Sequence, residues 1–207
     1  MKKTKNKTKT ENIDKDLKLI VKSSIIVFFG LFLSKVLTYI YRIVIARSFG
    51  PEIYGIFSLA SIVLGWFVAF SSFGLTQGIL RFIPAYRGKK EYNKISFIFK
   101  LSLIILLVST VVSGILLFIL ADFISLNIFH NENLIIFLKL FSITIPIYTF
   151  AKIFLLVLRS FEKISWYSFI FNILQNAVKV LSLILLIFMG FNVNAIIFSY
   201  ILSVLSM

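Results

Sequence analysis

After a polar opening, the chain reads as long apolar runs separated by short polar punctuation. Five runs, at about 23–47, 53–75, 96–120, 134–158 and 166–189, meet the ~20 residues a helix needs to cross a hydrocarbon core of roughly 30 Å. A sixth, Val193–Met207, is equally apolar but stops at 15 residues. At 1.5 Å per residue it reaches only ~22 Å and reads as a helix cut short. The runs are continuously apolar, not alternating in ten-residue pieces, so they predict helices and not a barrel. The expected fold class is all-α: a polytopic transmembrane helix bundle with five full spans and a truncated sixth. Residues 1–20 read as a basic cytosolic tail, disordered because its first sixteen positions hold few apolar side chains. The run after it is too long for a cleavable signal peptide, carries Lys35 and Arg42, and has no Ala-x-Ala-like site behind it.

The punctuation is informative at several points. Gly50 suits a helix C-terminus, Pro51 a first helical position, and Glu52 the positive dipole end of the next helix. Trp166 and Tyr167 open the fifth span where amphipathic rings settle at an interface. Pro146, in the middle of the fourth span, removes a backbone donor and predicts a kink. Ser102, Ser109 and Ser113 on span three, with Ser58, Ser61 and Gly65 on span two, predict close helix packing.

Composition agrees with this pattern. Of 207 residues, 59% are hydrophobic and 14% charged, and the mean hydropathy is +1.01. A soluble domain is about 45–50% apolar and roughly a quarter charged. With no Cys and a single His, His130, there is no thiolate chemistry, no triad and no multi-His metal site, so no cofactor or metal is expected. The net charge of +14 would suggest nucleic acid in a soluble chain, but its placement argues otherwise. Sixteen of the 22 basic residues lie before span one or in the loops between spans two and three and spans four and five. Under the positive-inside rule the N-terminus is cytoplasmic, and the partner is the lipid bilayer, whose anionic headgroups the basic loops face.

The remaining cations are Lys35, Arg42, Arg47, Lys139, Lys152 and Lys179. A cation at the bilayer centre costs ~2.5–3.5 kcal/mol on insertion scales and usually faces a water-filled cavity. Lys35 and Lys179 lie near the midpoints of spans one and five, while Arg42 and Lys152 lie part-way out. Arg47 and Lys139 sit near span ends and can snorkel. In span one, Lys35, Thr38, Tyr39 and Arg42 share one helical face at offsets 0, 3, 4 and 7; in span five, Asn172, Gln175, Asn176 and Lys179 repeat those offsets. Span four offers a looser set in Ser142, Thr149 and Lys152. No acidic residue falls inside these spans, so a cavity lined in this way attracts an anion. Interhelical hydrogen bonding with no substrate is the competing account.

From span one onward the chain resembles the polysaccharide biosynthesis membrane proteins. These are the O-antigen and lipid-linked oligosaccharide flippases of the multidrug/oligosaccharidyl-lipid/polysaccharide exporter superfamily. The resemblance rests on "RIVIARSFGPEIY" at Arg42–Tyr54 and "SSFGLTQGILRFIPAYRGKKE" at Ser71–Glu91. The matching positions are Arg47, Gly50, Pro51, Tyr54, Gly55, Gly74, Leu75, Arg81, Phe82, Pro84 and Tyr86. It implies a transporter of two six-helix lobes around a central cavity, of which residues 21–207 supply the N-terminal lobe, incompletely. The missing C-terminal lobe, or a second copy, would be a partner.

The function expected from this resemblance is a flippase in the cell membrane, a multi-pass protein and not an enzyme. It would move a polyprenyl-(pyro)phosphate-linked oligosaccharide for cell-surface glycan assembly. Lys35, Arg42, Lys152 and Lys179 would attract the (pyro)phosphate; Thr38, Tyr39, Asn172, Gln175 and Asn176 would hydrogen-bond phosphate or sugar. A drug or ion exporter of the same superfamily would need intramembrane carboxylates, and a glycosyltransferase or polymerase would need acidic residues in large loops. A non-transporting membrane scaffold is the remaining alternative.

Overall fold

The computed structural model describes the backbone of residues 2–72 and 74–207, with side chains for Leu17, Val21 and Ser23 onward apart from Phe73. The described residues form helices and turns with no strand, so the chain is an all-α bundle. Helix α1 (Lys2–Ser71) contains one residue outside helical geometry, Gly50, at φ 88°, ψ 163°. That conformation is essentially restricted to glycine, and it divides α1 into a first arm (2–49) and a second arm (51–71). Pro51 then takes the first position of the second arm, where its missing N–H costs nothing. The apolar part, Ser23–Ser71, has 49 residues, or ~73 Å of helix, more than twice a bilayer core. The Gly50 break allows it to cross and return.

The remaining elements follow in order. Helix α2 (Leu75–Gly88) precedes α3 (Tyr92–Phe123), which continues through a π turn at Ile124–Ile128. Then come α4 (Asn133–Ser160), α5 (Ile164–Ser168), a second π turn at Phe169–Leu174, α6 (Gln175–Phe188) and α7 (Asn194–Leu205). Four stretches are long and apolar enough to cross a membrane: Ser23–Ser71, Tyr92–Ile128, Asn133–Ser160 and Ile164–Phe188. The fifth is thus α5 and α6 joined through the π turn.

The structure departs from the expected second span at 53–75 and the basic loop after it. Instead the helix stops at Ser71, Gly74 adopts a left-handed conformation, and α2 forms from what was read as loop. Leu75, Ile79 and Ile83 lie one turn apart and give α2 an apolar stripe. Ile79 and Ile83 are buried with Ile95, Leu106, Ile153 and Leu156 between α3 and α4. Lys89–Glu91 is all that remains of the loop. The backbone of α1 extends back to Lys2. Extending an existing helix adds one hydrogen bond per residue without a new nucleus; the side chains of residues 2–16 lie outside the described ones. Helix α4 includes Pro146. Its ring packs against α3, 3.7 Å from where a Cβ on Gly114 would stand.

Serines fix the register of the second arm against α3. Ser109 Oγ donates to the Ser71 carbonyl at 2.6 Å and Ser113 Oγ to that of Phe67 at 3.1 Å. Gly65 is exposed, so the packing predicted there does not involve it. At the Gly50 end, Lys139 Nζ lies 2.9 Å from Asp122 Oδ1 and above the Phe118 ring. That lysine is neutralised across the α3–α4 boundary instead of snorkelling. His130 is exposed in the turn between those helices. At the opposite, basic end, Arg87 of α2 reaches Glu162 at 3.8 Å and lies over the Phe161 ring.

Gly50→Ala places a Cβ in a conformation that costs about 1–3 kcal/mol. The purified variant is expected to unfold at lower temperature than the parent in the same detergent; an unchanged transition would mean that the bend relaxes without cost.

Candidate functional site

Hydrogen bonds hold the first arm against the α5–α6 helix along a narrow seam. At its basic end, Gly30 lets the two backbones approach: a Cβ there would stand 2.5 Å from Ser168 Oγ. Asn172 Nδ2 donates to Ser168 Oγ at 3.0 Å and is buried. One turn further on, Asn176 Nδ2 donates to Ser34 Oγ at 3.1 Å and to the Asn172 carbonyl at 2.9 Å. Its Oδ1 accepts from Thr38 Oγ1 at 3.4 Å. At the far end Tyr41, 1% exposed, donates to the Ile196 carbonyl at 3.2 Å and pairs with Ser199 Oγ at 3.1 Å. This ties α7 to the same seam.

The polar stripes therefore divide. Asn176 bonds across the seam to Ser34, with Thr38 beside it, which is the competing account made concrete there; Asn172 donates to Ser168 on its own helix, and Thr38 Oγ1 donates to the Ser34 carbonyl of its own arm at 2.8 Å. Lys35, Tyr39 and Arg42 stay exposed along the first arm. Gln175 and Lys179 are half-buried on the partner helix. Lys179 Nζ sits 4.8 Å from the centre of the Tyr41 ring and 5.4 Å from that of Tyr200. Arg42 follows Tyr41 in the first arm, so it lies at the end of the seam where Lys179 packs on the Tyr41 ring. On α4, Lys152 Nζ lies 5.8 Å from the Tyr148 ring centre and is half-buried.

Sequence reasoning missed the tyrosines. A cation over an aromatic face gains about 0.5–2 kcal/mol without a carboxylate, which allows Lys179 to stay inside the bundle while keeping its charge available. Among 24 Phe and 8 Tyr, the tyrosines within spans were the available signal, since a buried hydroxyl needs a partner that phenylalanine does not. The π turn at Phe169–Leu174 was also invisible. It lies across the polar stripe of span five and shifts the helical register there, and such bulges are common at functional sites. Ser34 and Ser168 were not singled out individually as seam partners.

The resemblance-bearing residues lie mainly at bends. Gly50 and Gly74 have positive φ at the two breaks of the second span, and Pro51 opens the second arm. Tyr54 and Gly55 follow in its first turn, and the Tyr54 carbonyl accepts from Ser58 Oγ. Arg47, Arg81 and Pro84 are exposed, and Tyr86 carries Lys94 Nζ 5.5 Å from its ring centre. These positions shape the chain and do not line the cationic region. Among the described residues, no three His, Asp or Glu side chains gather in one place.

A comparison with protein families matches residues 20–207 to the one described as polysaccharide biosynthesis protein. No curated protein and no solved structure matches the chain.

Replacing Asn176 with Leu removes the contacts to Ser34 and Thr38. The expected cost is roughly 1–2 kcal/mol, the upper range for hydrogen bonds between membrane helices, read as a lower unfolding temperature. Lys35→Ala, on the exposed side of the same arm, is expected to leave that temperature within error. Equal losses in both variants would mean that the seam does not separate structural from available polar groups.

Proposed function

The chain belongs to the polysaccharide biosynthesis protein family, and from that premise we propose that it is the N-terminal lobe of a translocase in the cell membrane. Its cargo is a polyprenyl-(pyro)phosphate-linked oligosaccharide, moved by alternating access without chemical change, so the protein is not an enzyme. The single observation that carries this reading is Lys179, held over the Tyr41 and Tyr200 rings inside an apolar bundle without an acidic partner among the described residues. A pyrophosphate supplies the missing negative charge, and a low effective dielectric strengthens that attraction.

Lys35 extends the cationic track towards the basic end of the first arm, and Lys152 contributes from α4. Gln175 and Tyr39 remain free to hydrogen-bond phosphate or sugar, whereas Thr38, Asn172 and Asn176 pack at the seam. The missing C-terminal lobe, or a second copy, would close the other wall of the cavity. The bilayer is the remaining partner, with the basic loops and N-terminus on the cytoplasmic side of a multi-pass chain; nucleic acid has no role. Rocking of one lobe against the other would expose the cations to each side in turn. Asp122, the carboxylate that falls within the apolar stretch Tyr92–Ile128, is already paired with Lys139, which disfavours a cation exporter.

The test is lipid-linked oligosaccharide flipping in proteoliposomes by the full-length protein. Lys35→Ala and Lys179→Ala are each expected to slow it by about tenfold, since a charge-assisted contact contributes ~1.5–3 kcal/mol. Unchanged flipping in the double variant would overturn the assignment.

A further inference from the structure

A chain of aromatic rings begins and ends at Lys179. Its Nζ lies 4.8 Å from the ring centre of Tyr41, on the first arm, and 5.4 Å from that of Tyr200, on α7. Tyr41 meets Phe57 of the second arm edge-on at 5.7 Å, and Phe57 meets Phe141 of α4 at 6.2 Å. Phe141 in turn lies 4.9 Å from Tyr200. Phe57 and Phe141 are buried, so the Tyr200 ring rests on a packed base.

The two tyrosines beside Lys179 differ in one respect. The Tyr41 hydroxyl is engaged within the protein, by the Ile196 carbonyl and Ser199 Oγ. The Tyr200 hydroxyl has no hydrogen-bond partner among the described residues; there it is the Tyr200 carbonyl that is engaged, accepting from Ser203 Oγ at 2.7 Å. A phenylalanine would present the same face to Lys179 and pack on Phe141 equally well, and the chain uses Phe 24 times. The hydroxyl is therefore surplus to packing. On a half-buried side chain in an apolar bundle, it costs free energy for as long as it stays unpaired. Lys179 likewise has no acidic partner among the described residues. A cation and a hydroxyl donor side by side, neither with an acceptor, are complementary to an oxyanion.

We infer that Tyr200 is a further anion-binding residue, its hydroxyl donating to an oxygen of the phosphate that Lys179 attracts. The inference rests on the translocase reading and adds to it a donor that no charge pattern marks. Lys179 alone attracts any anion within reach, whereas a directional O–H selects an oxyanion seated against the Tyr200 ring. Because Phe141 holds that ring, the donor is in place before the cargo arrives, and little ordering is lost on binding.

The test is calorimetric binding of inorganic pyrophosphate to the full-length protein in detergent at fixed ionic strength. Tyr200→Phe keeps the ring and removes the donor. Its pyrophosphate affinity is expected to fall by about tenfold, the loss of one hydrogen bond to a charged group, while its unfolding temperature stays that of the parent. Tyr200→fluorotyrosine keeps the shape and makes the hydroxyl a stronger donor, so binding tightens at a pH where the phenol stays protonated. A ring that acted only by holding Lys179 would give the opposite sign, since fluorine withdraws electron density from its face. Undiminished pyrophosphate binding in Tyr200→Phe overturns the inference, as does weaker binding in Tyr200→fluorotyrosine. Lys179→Met separates the two proposals. Affinity lost there but kept in Tyr200→Phe removes the hydroxyl alone and leaves the translocase reading standing. Affinity kept in Lys179→Met removes the anion at Lys179, on which both proposals rest.

Discussion

In hydrocarbon, helices gain little from burying apolar surface against each other, so close backbone approach and hydrogen bonds must set their arrangement. Here that constraint falls on the seam between the first arm and the α5–α6 helix. It runs from Gly30 to Tyr41, ~17 Å along the arm, and includes Ser34, Thr38, Ser168, Asn172 and Asn176. Because these side chains face each other, the residues beside them on the same helices face elsewhere. Lys35 and Arg42 are exposed along the first arm, and Lys179 packs on Tyr41 at the seam's end. The same contact draws in α7 through Tyr41, Ile196 and Ser199.

The bundle holds its internal cations in two ways. Lys139 meets a carboxylate, Asp122, and that charge is consumed. Lys179 and Lys152 instead lie over tyrosine rings. A ring face lowers the cost of keeping a cation in a greasy setting, yet it leaves the charge uncancelled. An arrangement of this kind suits a surface that must attract an anion and release it again.

Much of the framework was legible in the sequence. Twenty-residue apolar runs have few physical outcomes in lipid, and Gly50–Pro51 could only be a bend. Of the serines expected to pack closely on α3, Ser109 and Ser113 meet the second arm. The site was half legible: periodicity placed Thr38 and Asn176 on the same faces as Lys35 and Lys179. It could not say that a rotation of a few tens of degrees separates seam from open edge. The π turn at Phe169–Leu174 adds to that rotation and has no compositional mark. Helix α2 escaped notice because Gly74, Pro84 and its basic residues resemble loop punctuation, while its burial depends on Ile153 and Leu156 more than sixty residues away.

The central claim is that Lys35, Arg42 and Lys179 share a water-reached edge beside the seam, and thiol accessibility tests it most directly. Single cysteines would replace Lys35, Arg42, Lys179, Phe29 and Val36 in a cysteine-free background, each exposed in membranes to a membrane-impermeant maleimide. Labelling of positions 35, 42 and 179 with protection of 29 and 36 is the predicted result. Equal labelling at all five, or protection of the three cationic positions, would contradict the account.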